Sequence, residues 1–248
     1  MKKINRLTAS LLILAMASGL AACSPEAPAS QVTDESSVTT SSSAKETPAS
    51  SETEESTTEK IRGWCELEGR YYFIGRDDGK QVKSSVVNGI TIDDSGFAVM
   101  DDLAKEKLPV LVKAREVYDE LAAEGGSKDD IIMRCYKFVE DMPYLLKDYP
   151  ITDHMKEYAC YDAHYANNLL NAYDDQLKLG GDCTSDAACL AYLFDAAGFK
   201  EVYYCHTESH AWVEADGRFW DPLYIETKGM EWYDMKEYPD EPLSRQKI

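Results

Sequence analysis

The chain changes character at Lys60–Ile61, and that break decides how much of it can fold. Residues 24–60 are mostly Ser, Thr, Glu, Pro and Ala, with no aromatic residue and few large apolar ones. A segment of that composition cannot bury enough apolar surface to offset the entropy of ordering it. The part able to fold therefore starts near Ile61 and holds about 188 of the 248 residues, enough for one ordinary domain with small additions. Charge divides at the same point. The chain has 26 basic and 45 acidic residues, a net −19. The 24–60 segment carries −6 and the first 23 residues +3, which leaves about −16 on the folding part. An acidic domain of this kind offers no basic face to a phosphate backbone, so nucleic acid is excluded as a partner. The charge itself is read as a solubility feature, with a cationic partner as the alternative.

Residues 1–23 contain no acid. Lys2, Lys3 and Arg6 precede an apolar run from Leu11 to Leu20, which is the layout of a secretory signal and short for a permanent span. The run ends Leu20-Ala21-Ala22-Cys23, which resembles the bacterial lipobox. That resemblance implies a lipoprotein, with diacylglycerol on Cys23, a further acyl chain such as palmitate, and residence on the extracellular face of the cell membrane. Residues 24–60 would then be a tether, spanning roughly 30–35 Å if it behaves as a flexible coil.

From 61 to 100 the signals are those of β-hairpins. Asp78-Gly79, Asn88-Gly89 and Ser95-Gly96 mark turns between short apolar runs, and Arg70–Ile74 reads as a strand. The spacing of Gly63-Trp64, Gly69, Tyr71-Tyr72-Phe73 and Asp78-Gly79 resembles the cell-wall-binding repeats of Gram-positive surface proteins. A second copy has Thr91 and Ile92 where that family carries aromatics. The expectation is a small β-extension packed on the following domain, with glycan binding as the alternative.

Residues 101–248 read as helices followed by strands. A helix is expected over 101–124, stopped by Gly125-Gly126, and a second one is capped by Ser127 and ended by Pro143. A third covers about 162–177, and a strongly apolar one runs from Cys183 to Ala197. Strands are expected at Glu201–His206, His210–Ala215 and Arg218–Tyr224. Helices followed by antiparallel strands indicate an α+β fold.

The chemistry concentrates where helix gives way to strand. Cys183 follows Gly180-Gly181-Asp182 and opens a helix, where the positive end of the dipole favours a thiolate and the Cys183 amide can face an oxyanion. Strand alternation places His210, Trp212 and Glu214 on one face. A turn at Asp216-Gly217 would bring Asp221 back toward His210. A thiol, a base and a carboxylate that orients the base form the logic of nucleophilic catalysis.

Gly181-Asp182-Cys183-Thr184, the apolar helix ending Ala197-Gly198-Phe199, His210-Ala211-Trp212-Val213-Glu214 and Trp220-Asp221-Pro222 together resemble the transglutaminase-like superfamily. The upstream Ile131–Tyr144 stretch resembles its early helix. The resemblance covers about 103–225. It implies a papain-like cysteine core with the catalytic triad Cys183, His210 and Asp221, working through an acyl-thioester on an amide or peptide bond. Hydrolysis by a peptidase or amidase is the first expectation, with a peptide, protein or cell-wall fragment as substrate. Transamidation, or a non-catalytic surface binding protein, is the alternative. Gln176 is a candidate oxyanion partner by analogy with papain, with a polar residue on an exposed helix as the alternative; Trp212 is a candidate to line the cleft, with a core aromatic as the alternative; and Asp182 either tunes charge or caps the helix. No cofactor is implied. No metal site is expected either, because His154, Cys160, His164 and Cys205-His206 form no zinc-ligand spacing. A Gly-x-Ser-x-Gly elbow is absent.

Overall fold

The structure, a computed structural model, describes residues 62–145, 151–173 and 180–248. Cys23, the 24–60 tether and Gln176 lie outside the described residues. No helix among those described is long and apolar enough to cross a membrane.

Two hairpins come first. Strands β1 (Gly63–Leu67) and β2 (Arg70–Ile74) pair antiparallel, as do β3 (Ser85–Val87) and β4 (Ile90–Ile92). Each is closed by a two-residue turn with both residues at positive φ, Glu68-Gly69 and Asn88-Gly89. That backbone matches the twist of the flanking strands, and Asn-Gly is its preferred sequence. The hairpins do not stand apart. Trp64, Phe73, Ile90 and Ile92 are buried and share one continuous core with the first helix and the rest of the domain. Of the repeat-like aromatics, Trp64 and Phe73 turn inward and serve packing, while Tyr71 and Tyr72 are partly exposed.

Among the described residues, six α-helices come after the hairpins or interleave with the larger sheet. They are α1 (Asp102–Ala123), α2 (Lys128–Glu140), α3 (Ile151–Glu157), α4 (Tyr161–Leu170), α5 (Cys183–Ala196) and α6 (Pro222–Thr227). Asp101 caps α1 by accepting from the Ala104 amide. Ser127 and Asp130 form a reciprocal capping box on α2, each satisfying a backbone N–H of the other's turn. Asn171, in the left-handed conformation, ends α4 at Leu170, short of the expected 177.

The larger sheet is antiparallel in the order β7-β6-β5-β8. It is built from β5 (Val202–His206), β6 (Ala211–Ala215), β7 (Arg218–Trp220) and β8 (Ser244–Lys247). The fold is therefore α+β. Strand β7 stops at Trp220, short of the expected Tyr224. Pro222 has no N–H to give a ladder, and it fits the first turn of a helix, which Asp221 caps by accepting from the Tyr224 amide. Strand β8 carries no alternating apolar signal, yet it pairs along β5 from Tyr203↔Lys247 to His206↔Ser244.

Helix α5 lies at the centre. Twelve of its fourteen residues are buried, as expected of a helix that is apolar all round. Leu190, Leu193 and Phe194 are fully enclosed, each contributing about 1.5–3 kcal/mol of burial. Near its C-terminal end Asp195 accepts from Asn88 Nδ2 at 3.0 Å and pairs with Arg76 at 2.9 Å. Asn88 Oδ1 in turn accepts from the Trp64 indole at 2.8 Å. One hairpin turn thus joins the β-extension to the central helix.

Replacing Asn88 by Ala removes both bonds and leaves a side chain with no polar group at positive φ, so a loss of about 2 kcal/mol or more is expected. Urea denaturation of the full chain measures it. A change below about 0.5 kcal/mol would mean that the hairpins are not part of the cooperative core.

Candidate active site

The turn before α5 fixes Cys183. A Cβ on Gly181 would collide with the Ser185 side chain, and one on Gly180 with the Pro143 carbonyl. Gly180 also sits at φ +120°, a conformation that favours glycine. Asp182 then caps the helix, accepting from the Thr184 amide at 3.0 Å and from the Ser185 amide at 3.4 Å. Cys183 is therefore the first residue of α5, and it is only 8% exposed.

Its thiol donates to the Ser209 carbonyl at 3.9 Å, and the Ala211 amide also bonds to the sulfur. The thiol lies against the backbone on both sides of His210. That histidine is set by a tight turn in which the Thr207 amide donates to the His210 carbonyl at 2.8 Å. Its ring stacks on Tyr224, centroids 4.3 Å apart and 19° from parallel.

His210 Nε2 lies 2.7 Å from Asp221 Oδ2. Strands β6 and β7 deliver this contact through the Asp216-Gly217 turn, with Val213 opposite Trp220 at the end of the ladder. Asp221 is fully buried and receives two further donors. The Tyr238 hydroxyl donates to Oδ2 at 2.6 Å and the Tyr224 amide to Oδ1 at 3.0 Å. With Nε2–H given to Asp221, Nδ1 is the ring nitrogen left to accept a proton, a tautomer assigned from the hydrogen bonds. A carboxylate that holds a histidine in one tautomer is an arrangement suited to general base chemistry.

The electrostatics differ from the expectation for a helix N-terminus. Burial, followed by the charge of Asp182, pushes the Cys183 thiol up to about 12, and Asp186 and Asp221 add to the effect. The Ala211 amide works in the opposite direction. Desolvation and three carboxyl groups outweigh the dipole, so the resting sulfur carries its proton. Asp186 lies one turn into α5. Burial, together with Asp182 and Glu226, raises its carboxyl to about 8, so it too is protonated at neutral pH.

Trp212 is 1% exposed and stacks flat on Tyr238, centroids 4.0 Å apart and 9° from parallel. It lines a cavity of about 270 Å³ with Tyr238 and Arg245, and Cys183, His210 and Asp221 are not among the residues around that cavity. The Trp212 ring centroid also lies 6.4 Å from that of His210, 30° from parallel. Asp182 serves as the cap and raises the thiol at the same time. The residues around the site that the sequence pattern does not single out are Tyr144, Asp186, Ser209 and Tyr238. Tyr238 has no strand or helix pattern to place it, and Tyr144 reads only as the end of a helix.

All six described cysteines are free thiols. Cys160 donates to buried Asp162, which also accepts from Tyr192 at 2.9 Å, and His164 stacks on Tyr158. Among the described residues no group of three or more His, Cys, Asp or Glu could hold a metal ion.

No family model, no curated protein and no solved structure matches this chain.

The raised Asp186 carboxyl has a stability consequence. The unfolded chain releases this proton near pH 4, whereas the folded one keeps it to about pH 8. Any stability tied to Asp186 is therefore fully present below pH 4 and is lost as pH rises toward 8. Asp186→Asn should leave the melting temperature unchanged at pH 4 and raise it by roughly 3–6 °C at pH 8. Thermal melts at the two pH values test this. Equal shifts at both would show that the carboxyl is not held protonated by the fold.

Proposed function

We propose that this protein is a transglutaminase-like thiol enzyme with a papain-like core that hydrolyses an amide or peptide bond through an acyl-thioester. The observation that carries the reading is the 2.7 Å contact between His210 and the buried Asp221, on the same short stretch of backbone that receives the Cys183 thiol.

The electrostatics favour one order of events. Because burial and carboxyl charge hold the thiol protonated, attack is coupled to proton transfer, with no preformed ion pair. Cys183 Sγ attacks the substrate carbonyl carbon as His210 Nδ1 takes the thiol proton. Asp221, held by Tyr238 and Tyr224, keeps the imidazolium oriented. The tetrahedral intermediate collapses, the same proton passes to the leaving nitrogen, and a thioester remains on Cys183. Water, deprotonated by His210, then attacks the thioester and releases a carboxylic acid and the free thiol. Every atom and proton is accounted for without a cofactor.

Incubation with peptides and cell-wall fragments, followed by mass spectrometry, tests the reading. Wild type should cleave at least one amide, and Cys183→Ala should lose about 10³-fold or more of that activity. A mass gain from amine addition would replace hydrolysis with transamidation. No cysteine-dependent change in any substrate would leave a surface binding protein as the function.

We further propose that the mature chain begins at Cys23 and is held on the outer face of the cell membrane by lipid on that residue. The supporting feature is the run Leu20-Ala21-Ala22-Cys23 after an apolar stretch with a basic start. Cells given radiolabelled palmitate should label the wild-type protein, and Cys23→Ala should abolish the label. Label retained in the variant would rule out Cys23 as the anchor.

A further inference from the structure

The folding part of the chain carries about −16, yet one cavity in it is basic. It lies at the far end of α5, about 18 Å of helix from Cys183, where Asp195 meets Arg76 and Asn88. Its volume is about 470 Å³, within the range of small-ligand pockets. The β3–β4 hairpin, α1, β5 and β8 all contribute walls. Arg76, Lys107, Lys200 and Lys247 line it, against Asp195 as the one acidic side chain. Val87, Leu103 and Val202 add an apolar wall.

Two of those cations are already matched. Arg76 pairs with Asp195 at 2.9 Å, and Lys247 pairs with Glu201 at 2.9 Å on the exposed rim. Lys107 and Lys200 differ from them. Among the described residues no carboxylate, that of Ile248 included, forms an ion pair with either. Lys107 is only 2% exposed. Of its three N–H donors, one reaches the Lys247 carbonyl at 3.3 Å, a long bond, and the described residues supply no other acceptor. Burying an ammonium without an anion is costly, and a bound anion would remove that cost. Val86 and Lys200 at the rim are exposed, so the cavity leads from solvent to a buried cation with donors to spare.

We propose that this cavity binds a small organic anion, a carboxylate or phosphate ester with an apolar portion. Lys107 holds the charged oxygens at the inner end, Lys200 draws the anion in at the rim, and Val87, Leu103 and Val202 take the apolar portion. No covalent bond is made or broken. The site is separate from the triad, and the proposal does not rest on Cys183 as a nucleophile. Because the hairpin, α1 and β8 all line the cavity, a bound anion also ties the β-extension to the rest of the domain.

Calorimetric titration of the full chain at pH 7 and low salt tests this with three probes: hexanoate, phenyl phosphate and the neutral hexanamide. At least one of the two anions should bind with a Kd on the order of 1 mM, and hexanamide about 10-fold or more weakly. Lys107→Met should weaken the anion by about 10–100-fold, the loss of a charge-assisted bond. Without ligand this variant should melt at or above the wild-type temperature, because methionine fills the space of lysine without burying a charge. If it does not fold, Lys200→Met carries the test from an exposed position and should weaken binding by about 3-fold or more. Cys183→Ala should bind as wild type does, and loss of the anion there would place it at the thiol and overturn the proposal. Unchanged affinity in the lysine variants would overturn it too, as would hexanamide binding as tightly as hexanoate, or neither anion binding to wild type.

Discussion

Burial of α5 on all sides is the constraint to which the rest of the structure responds. A helix with no polar face must be covered everywhere, and here the four-stranded sheet, α1, α2 and α4 enclose it. Its two ends then become the places where polar groups can act. At the C-terminal end, Asp195 ties the helix to Arg76 and to the Asn88 turn. At the N-terminal end, the Gly180-Gly181 turn and the Asp182 cap present Cys183 to the start of β6. Because the helix is fixed by packing, the thiol has one position, and the histidine and carboxylate are brought to it by the adjacent sheet.

Around that thiol, desolvation competes with the helix dipole and wins. The dipole acts on an exposed group with a modest energy, about 0.3–1 kcal/mol. Here the sulfur is enclosed and has carboxyl groups at Asp182, Asp186 and Asp221 for neighbours. Burial and acidic surroundings likewise keep Asp186 and Tyr144 protonated. A site of this kind carries its acidic protons at rest, beside the fixed His210–Asp221 pair. Tyr238 belongs to that pair in a physical sense, since it shares the Asp221 Oδ2 acceptor with His210 and is itself clamped by stacking on Trp212.

Much of this is legible in particular residues. Asp101 and Ser127 announce α1 and α2 because their side chains satisfy backbone donors within one turn, a purely local event. Asn88-Gly89 and Asp216-Gly217 announce turns because few residues adopt positive φ. Cys183 is legible because glycines, a cap and an apolar run meet there. The places where the structure departs from the sequence pattern are equally specific. β7 ends early at Asp221-Pro222, where a cap and a missing N–H override the apolar run Trp220–Tyr224. β8 has an ordinary polar sequence and becomes a strand because β5 offers it an edge.

By itself, the sequence determined the α+β class of the portion beyond Ile61 and the glycine turn and cap that open α5 at Cys183. Those depend on composition, capping and turn chemistry, which act over a few residues. Tertiary structure decided the rest: that His210 and Asp221 meet at 2.7 Å, that Tyr238 completes the contact, and that the thiol stays protonated. Each of those depends on segments far apart in the chain and on how completely they exclude water, and neither is encoded in any local stretch.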